Sequence, residues 1–335
     1  MLKKLLSLCI VLFVCCSCTK SAKEEITFSS WGSVTEVKIL EKLISDFEKS
    51  NPEIKINFIH IPQNYFQKLH LLFVSNTEPD VIFVNNLYLP QYSKRLLNLS
   101  ELNDGNFYPQ SIEVLSINNE LKAIPRDISD LVIFYNKDIT GNINPDWKFG
   151  EFKKRIKTNN NNAHFSISFE PDIYKADPYI QTLGFENGIK FYKELEGTYA
   201  PAPADVGSST LAQMFLDKKI VFYLSGRWMY PKIKETAKFN FGIVPFAGTT
   251  TLDASGWAIS KNTKNKEASV KFVRYLSSKK SIQYFADTGL IVPARKEIIF
   301  EYSEPFIKAI EKAKPNKTDS NYNKKRDKLN KEIFN

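Results

Sequence analysis

The chain has 335 residues, of which 43% are hydrophobic and 25% are charged, and its formal net charge is +9. These proportions are typical of a globular protein. All four cysteines precede Thr19, which excludes an internal disulfide or a thiolate metal site in the rest of the chain. Much of the positive charge lies at the two ends, and we interpret it as solvated lysines rather than a nucleic-acid site.

The first residues predict export. Residues 1–4 are short and basic, residues 5–14 are almost wholly apolar, and small residues and cysteines follow at 15–18. This order predicts a secretory signal peptide over residues 1–17. The apolar run is shorter than the roughly 20 residues that a membrane-spanning helix requires, so we expect no permanent transmembrane anchor.

The end of this signal resembles the lipobox of bacterial lipoproteins. A small residue precedes Cys18, which implies that Cys18 becomes the lipidated first residue of the mature chain. Cys16 is the second choice, and Cys15 stands where that motif usually has leucine. Lipid chains would hold the protein on the outer face of the cytoplasmic membrane, with residues 18–25 as a tether. A plain secretory signal with incidental cysteines is the alternative.

The segment after the tether has a β-α-β-α-β rhythm. Its predicted elements are a strand at 26–29, a helix at 37–47 that begins with a capping box at Ser33 and Glu36, a strand at 54–58, a helix at 65–73 and a strand at 81–84. This alternation predicts an α/β fold with an open, mainly parallel sheet and helices on its faces. In such sheets ligands lie beyond the carboxyl ends of strands, where Trp31 and Asn85 stand.

The rhythm resumes after residue 122. The predicted strands are 131–135, 165–169, 220–224, 241–244 and 256–260, and the predicted helices are 186–196, 208–216, 266–278 and 281–287. The mature chain exceeds the comfortable size of a single hydrophobic core. We therefore expect two lobes.

Six segments, in register along the chain, resemble the solute-binding proteins of sugar-type ABC transporters, in the maltodextrin-binding-like group. These segments are 46–56, 78–82, 123–138, 215–228, 255–272 and 289–295. The sequence departs from that group at Ala123, where a glycine is usual, in a shortened stretch between 152 and 191, and in an abbreviated C-terminus.

The resemblance implies a two-lobed fold of the type II periplasmic-binding-protein class, with a ligand enclosed by a hinge motion. It places the first lobe at residues 26–123 plus 255–290 and the second at 124–254 plus 291–335, with the chain crossing near Ile124, Ala254 and Ile291. It also implies ABC permease subunits as partners, a carbohydrate as ligand, and neither catalytic activity nor a cofactor. We expect a monomer.

Tryptophans are the first candidates for ligand contacts. The apolar C–H face of a sugar suits a flat aromatic surface. Trp228 follows the Gly226 turn at a strand end, and the matching tryptophan of the resembled family stacks on the sugar. Trp31 lies at the end of the first strand, and Trp257 follows Gly256 where the chain recrosses the hinge. All three tryptophans are therefore predicted to bind the ligand.

Polar candidates follow the same strand ends and crossings. Sugar hydroxyls need directional donors and acceptors, which amides, carboxylates and guanidinium groups supply. The polar candidates are Ser33, Asn85, Asn86, Arg126, Asp127, Asp130 and Asp253. The three histidines have no metal-ligand spacing, so we expect no metal.

Three other functions stay open at this point. Arg126, Arg227 and Arg295 could clamp an anionic solute such as a glycerol phosphate or a sugar phosphate. Asp127 and Asp130 could serve as the two carboxylates of an exported carbohydrate hydrolase, although no sequence feature marks either as a catalytic acid. The chain could also be a surface lipoprotein that binds proteins alone.

Overall fold

The structure, a computed structural model, describes residues 23–161 and 164–334. The predicted signal peptide, Cys18 and the predicted tether up to residue 22 lie outside the described residues. Within the described ranges, no helix is both long and apolar enough to cross a membrane.

The strands form two larger sheets and one short hairpin. In chain order they are β1 (Glu24–Ser30), β2 (Ile54–His60), β3 (Val81–Asn85), β4 (Ser116–Ile117), β5 (Glu120–Leu121), β6 (Ile124–Ser129), β7 (Val132–Asn136), β8 (Phe165–Ile167), β9 (Ile220–Ser225), β10 (Phe241–Pro245), β11 (Thr251–Ile259), β12 (Val292–Pro293) and β13 (Lys314–Pro315). The seven-stranded sheet has the order β12-β6-β11-β3-β1-β2, with β13 paired to the start of β11. The four-stranded sheet has the order β10-β7-β9-β8.

Helices cover both sheets. In chain order they are α1 (Val34–Ser50), α2 (Tyr65–Val74), α3 (Leu89–Tyr92), α4 (Pro109–Val114), α5 (Lys137–Thr140), α6 (Phe149–Thr158), α7 (Ile173–Leu183), α8 (Phe185–Leu195), α9 (Pro203–Val206), α10 (Leu211–Leu216), α11 (Tyr230–Thr236), α12 (Lys266–Leu276), α13 (Lys279–Asp287), α14 (Ser303–Lys312) and α15 (Tyr322–Phe334). Short 3₁₀ turns lie at Ser93–Arg95, Ser100–Leu102 and Arg227–Met229.

The two-lobed α/β fold predicted from the sequence is confirmed. We call the seven-stranded sheet and its helices the first lobe, and the four-stranded sheet and its helices the second lobe. Strand pairing is mixed rather than mainly parallel, which corrects the prediction. In the first lobe β1 pairs in parallel with β2 and β3, whereas β11 runs antiparallel to β3 and β6. The reason is that β11 returns to the first sheet from the second lobe.

The chain passes between the lobes several times. It leaves the first sheet between β6 and β7 at Asp130, returns between β10 and β11, and leaves again after β12. It returns to the first sheet as β13 and then crosses once more with α15, which contacts the start of α7. Because β6 and β12 pair within the first sheet, this pairing favours a first crossing at Asp130 rather than near Ile124. The lobe limits predicted from the sequence stay a prediction.

Buried side chains explain why these segments fold as they do. In α1, Leu40, Leu43, Ile44 and Phe47 recur at helical spacing and are buried against the first sheet. All residues of β9 are buried, as expected for a central strand covered on both faces. Trp147 packs on Phe152 and donates its indole N–H to the carbonyl of Pro245 at 2.9 Å, so it belongs to the core of the second lobe.

Half of the elements were not predicted from the sequence, among them strand β6 and helices α7, α14 and α15. Helix α7 contains Pro178 in its interior, and α15 has no buried residue, so neither has a simple apolar periodicity. Every strand and helix that was predicted does occur in the structure. Strand β8 is shorter and strand β11 is longer than expected.

Candidate functional site

A cavity of about 350 Å³ lies between the two lobes, at the carboxyl ends of β1 and β3. We call it the interlobe cavity. Its lining residues are Trp31, Glu36, Phe83, Asn85, Leu87, Arg126, Asp127, Ser129, Tyr174, Trp228, Asp253, Ser255, Leu290 and Ile291. Six of the ten predicted contact residues are among them, so the crevice rule for α/β sheets locates the cavity correctly. A wider depression of about 580 Å³ beside Tyr230 and Asp287 contains no tryptophan.

Arg126 is the buried centre of the first-lobe wall. It is the extra residue of a β-bulge, because Ser255 pairs with Asp127 while Gly256 pairs with Pro125. Bulges re-aim side chains, and this one turns the Arg126 guanidinium under the cavity. The guanidinium carbon lies 4.5 Å from the ring centroid of Phe83.

Two carboxylates neutralise this guanidinium. Arg126 donates from Nε to Asp127, and its Nη2 lies 3.4 Å from Oε1 of Glu36. Burial raises the pKa of Asp127, and the charge of Arg126 opposes that increase. The group is therefore a compact set of fixed charges whose cation already has anionic partners.

Glu36 reaches Arg126 because of the capping box that begins α1. The Ser33 hydroxyl accepts from the Glu36 amide at 3.3 Å, and Glu36 Oε2 accepts from the Ser33 amide at 3.0 Å. The predicted capping box is confirmed. The predicted ligand contact of Ser33 is corrected, since its hydroxyl is engaged in the cap and does not line the interlobe cavity. Its structural effect is to fix Glu36.

Two tryptophans present exposed ring faces to the cavity. Trp228 lies in the 3₁₀ turn after β9 and is 40% exposed. A β-carbon at Gly226 would lie 1.9 Å from the Trp228 ring, so glycine is required for the ring to lie over this turn. Trp31 is 46% exposed at the end of β1, with its ring centroid 6.3 Å from that of Phe83. Both rings line the same cavity, and a shared apolar patch of this kind indicates a ligand site more strongly than a single exposed aromatic residue does.

Asp253 and Asn85 supply polar groups at the base of the cavity. Asp253 Oδ1 accepts from the side-chain amides of Asn86 and Asn316, each at 2.8 Å. Burial raises the pKa of Asp253 to about 6, and these two hydrogen bonds oppose the increase. Asn85 lies at the end of β3, where its Oδ1 accepts from the amide of Tyr88.

Asn86 and Asp130 do not line the cavity, which corrects their predicted ligand contacts. Asn86 is fully buried, and its Oδ1 accepts from the amide of Ala254 at 3.1 Å. It therefore holds Asp253 and the returning strand in place. Asp130 is buried at the first crossing, where its Oδ1 accepts from the amide of Leu131. Both residues are structural parts of the crossing region.

The predicted ligand contact of Trp257 is also corrected. Its side chain is fully buried, in edge-to-face contact with Phe28 and Phe83 at ring distances of 5.4 Å. The guanidinium of Arg126 lies 5.6 Å above its ring and separates it from the cavity. Trp257 thus supports the Arg126 group from below and is not positioned to stack on a ligand.

The sequence missed eight lining residues as ligand contacts. They are Glu36, Phe83, Leu87, Ser129, Tyr174, Ser255, Leu290 and Ile291. Glu36 had been recognised as a capping residue, and Leu290 and Ile291 lie in a segment already assigned to a crossing. Tyr174 had no signal, because the helix that carries it was not predicted.

Residues 23–161 and 164–334 contain no group of three or more histidine, cysteine, aspartate or glutamate side chains suited to a metal ion. Asp127 faces the cavity and Asp130 does not, so these two carboxylates do not flank one space as a hydrolase pair would.

Comparison with known proteins agrees with this architecture. The maltodextrin-binding protein MdxE of Bacillus subtilis (strain 168) is 23% identical over 305 residues, covering 78% of this chain and 71% of the relative. The multiple sugar-binding protein of Streptococcus mutans is 23% identical over 330 residues, covering 83% and 78%.

Solved structures share the fold. An ABC substrate-binding protein from Listeria monocytogenes, in complex with cycloalternan, has a TM-score of 0.80 at 21% identity, covering 93% of this chain and 92% of that one. The GacH receptor of Streptomyces glaucescens, solved unliganded and with acarbose, has a TM-score of 0.77 at 20% identity, with the same coverage.

A family match covers most of the chain. Residues 31–283 match the bacterial extracellular solute-binding proteins, whose members are exported binding proteins rather than enzymes. This range includes the whole second sheet, the central strands β3, β6 and β11 of the first sheet, both cavity tryptophans and the Arg126 group. The chain belongs to the bacterial extracellular solute-binding protein family.

Proposed function

We propose that this protein captures a neutral carbohydrate in the interlobe cavity by hinge closure and delivers it to the permease subunits of an ABC importer. The observation that carries this proposal is the pairing of two exposed tryptophan faces, Trp31 and Trp228, with a floor of fixed polar groups. Such a site offers stacking to the C–H face of a sugar and hydrogen bonds to its hydroxyls. The sugar-binding relatives support the same class of ligand.

The charges of the cavity argue against an anionic ligand. Arg126 is already paired with two carboxylates, and Asp253 adds a third acidic group. Arg227 donates to the carbonyl of Glu301, and Arg295 is held by carboxylates outside the cavity, so neither lines it. The three-arginine clamp considered from the sequence does not form.

The proposal extends to the N-terminal segment and to the oligomeric state. We propose that Cys18, or Cys16 as the second choice, carries the lipid that holds the protein on the outer face of the cytoplasmic membrane. The predicted tether of residues 18–25 is corrected at its end, because the first strand begins at Glu24. A monomer is sufficient for this role, because the described cavity is lined by residues of one chain.

A thermal-shift screen of neutral mono- and oligosaccharides tests the proposed function. A ligand of the native state must raise the melting temperature, by an amount that grows with its concentration above Kd. We expect at least one neutral sugar to do so, and its Kd to change less than about twofold between about 0.05 and about 0.5 M NaCl. A ligand that binds only at low salt would favour the anionic alternative, and no response to any sugar would contradict the proposal.

A further inference from the structure

The C-terminal strap, residues 314–334, crosses from the first lobe to the second beside the interlobe cavity. It begins as strand β13 on the edge of β11. On the first lobe, the Thr318 hydroxyl donates to the carbonyl of Asn86 at 2.5 Å, and the Asn323 side-chain amide donates to the carbonyl of Leu87 at 2.8 Å. The strap therefore holds the loop that follows β3.

The same strap is fixed to the second lobe at the start of α7. Arg326 Nη2 donates to Asp172 at 2.8 Å, and Asn330 Oδ1 accepts from the amide of Ile173 at 2.7 Å. Asp172 is the N-cap residue of α7. The strap is therefore hydrogen-bonded to the N-terminus of the helix that carries Tyr174. Charge-assisted hydrogen bonds of this kind are stronger than neutral ones.

Both places that the strap holds are parts of the cavity wall. Leu87 comes from the first lobe and Tyr174 from the second, and both line the interlobe cavity. The guanidinium carbon of Arg326 lies 5.7 Å from the centroid of the Tyr174 ring. The strap thus lies behind the Leu87–Tyr174 side of the cavity and braces the two walls against each other.

The small volume of the interlobe cavity is consistent with its Leu87–Tyr174 side being closed by the strap. Its volume of about 350 Å³ is near the lower limit of the roughly 300–1,000 Å³ typical of small-molecule sites. We infer that the C-terminal strap closes the Leu87–Tyr174 side and restricts the ligand to a mono- or disaccharide, an inference that rests on the proposed function. Longer chains must then displace this side, which breaks contacts without making new ones.

Isothermal titration with two length series tests the strap. The probes are glucose, maltose, maltotriose and maltotetraose, and cellobiose, cellotriose and cellotetraose. For the wild type we expect the tetrasaccharide of the bound series to have a Kd at least about tenfold weaker than the disaccharide. In Asn323→Ala/Arg326→Ala this ratio should fall at least about threefold, because the brace behind Leu87 and Tyr174 is removed.

Lys328→Ala is the matched control, since Lys328 lies on the same helix with its side chain 75% exposed. It should keep the wild-type ratio. A double variant that folds but keeps the wild-type ratio would overturn the inference. If the double variant does not fold, the wild-type series decides alone: a tetrasaccharide that binds as tightly as the disaccharide removes the length limit and leaves sugar binding intact. If neither series binds, the oligomers of the sugar that the thermal-shift screen identifies replace them, so that the screen decides the proposed function and the titration decides the length limit.

Discussion

The two walls of the interlobe cavity are built in different ways. The first-lobe wall carries a bulge, a capping box and two carboxylates around Arg126, and its polar groups are held by hydrogen bonds before any ligand binds. The second lobe contributes Tyr174 and Trp228. Trp228 stands on a short turn with 40% of its side chain exposed.

This difference indicates that the two walls have different roles in ligand binding. Preorganised polar groups give orientation and selectivity, because a ligand that cannot match them leaves buried groups unpaired. An exposed aromatic face gains most of its contact area when the lobes close. We therefore expect the first lobe to decide which ligand binds and the second lobe to add affinity. Substitutions on each wall test this division.

The largest effect is expected at the centre of the first-lobe wall. Replacing Arg126 by methionine leaves Asp127 and Glu36 without their cation. Removing one partner of a buried ion pair typically costs about 3–5 kcal/mol, so Arg126→Met should lower the free energy of unfolding by about 3 kcal/mol. Urea denaturation followed by circular dichroism measures this loss.

Arg274→Met is the matched control for that substitution, because Arg274 lies on the exposed face of α12. It should change the free energy of unfolding by less than about 0.5 kcal/mol. If the two methionine variants were equally stable, the Arg126 group would not be the preorganised centre of the first wall.

A smaller effect, on affinity rather than stability, is expected on the second-lobe wall. Trp228→Ala removes the stacking face and should weaken binding of the sugar found by the thermal screen at least about tenfold, or about 1.4 kcal/mol. The fold should survive, because the side chain is half exposed at a turn. Isothermal titration measures the affinity.

Phe185→Ala is the control for Trp228→Ala, since Phe185 is an aromatic residue 49% exposed at the start of α8 and does not line the cavity. Its Kd should equal that of the wild type. An unchanged Kd in Trp228→Ala would remove this residue from the site and assign the affinity to the first wall instead.

The residues of the cavity also differ in how far the sequence could predict them. Trp228 and Trp31 were predicted because each is an aromatic residue directly after a strand, and the cavity lies at strand ends. The Arg126 group could not be assembled in the same way. Its bulge is a register shift between β6 and β11, and Glu36 comes from a helix some ninety residues earlier. Such contacts depend on tertiary packing, which local patterns do not carry.

Trp257 is a residue for which the sequence predicted a ligand contact that the structure does not have. Like Trp228 it follows a glycine-containing segment, so the sequence gives both the same interpretation. The difference is the Arg126 guanidinium that covers the Trp257 ring. Tyr174 was missed for a local reason, because Pro178 lies within its helix and interrupts the expected pattern. The fold was therefore more predictable than the contacts that surround and support the cavity residues.

The smallest effect is expected between the walls, at the first crossing. Burial raises the pKa of Asp130 to about 7, and the nearby carboxylates of Asp177 and Asp253 contribute to the increase. An ordinary aspartate has a pKa of about 4, so folding disfavours the ionised form. The stability that this carboxyl contributes is fully present below about pH 4 and is lost as the pH rises through about 7.

Asp130→Asn should therefore raise the free energy of unfolding by about 1 kcal/mol or more at about pH 8, with little gain at about pH 4.5. The new side-chain oxygen can still accept from the amide of Leu131, as Oδ1 of Asp130 does. The exposed Asp217→Asn makes the same change in net charge and should show no such pH-dependent gain. Denaturant titrations at both pH values separate these outcomes. A loss of stability in Asp130→Asn at pH 8 would mean that the crossing needs the negative charge, and that the two walls are joined by electrostatics rather than by packing.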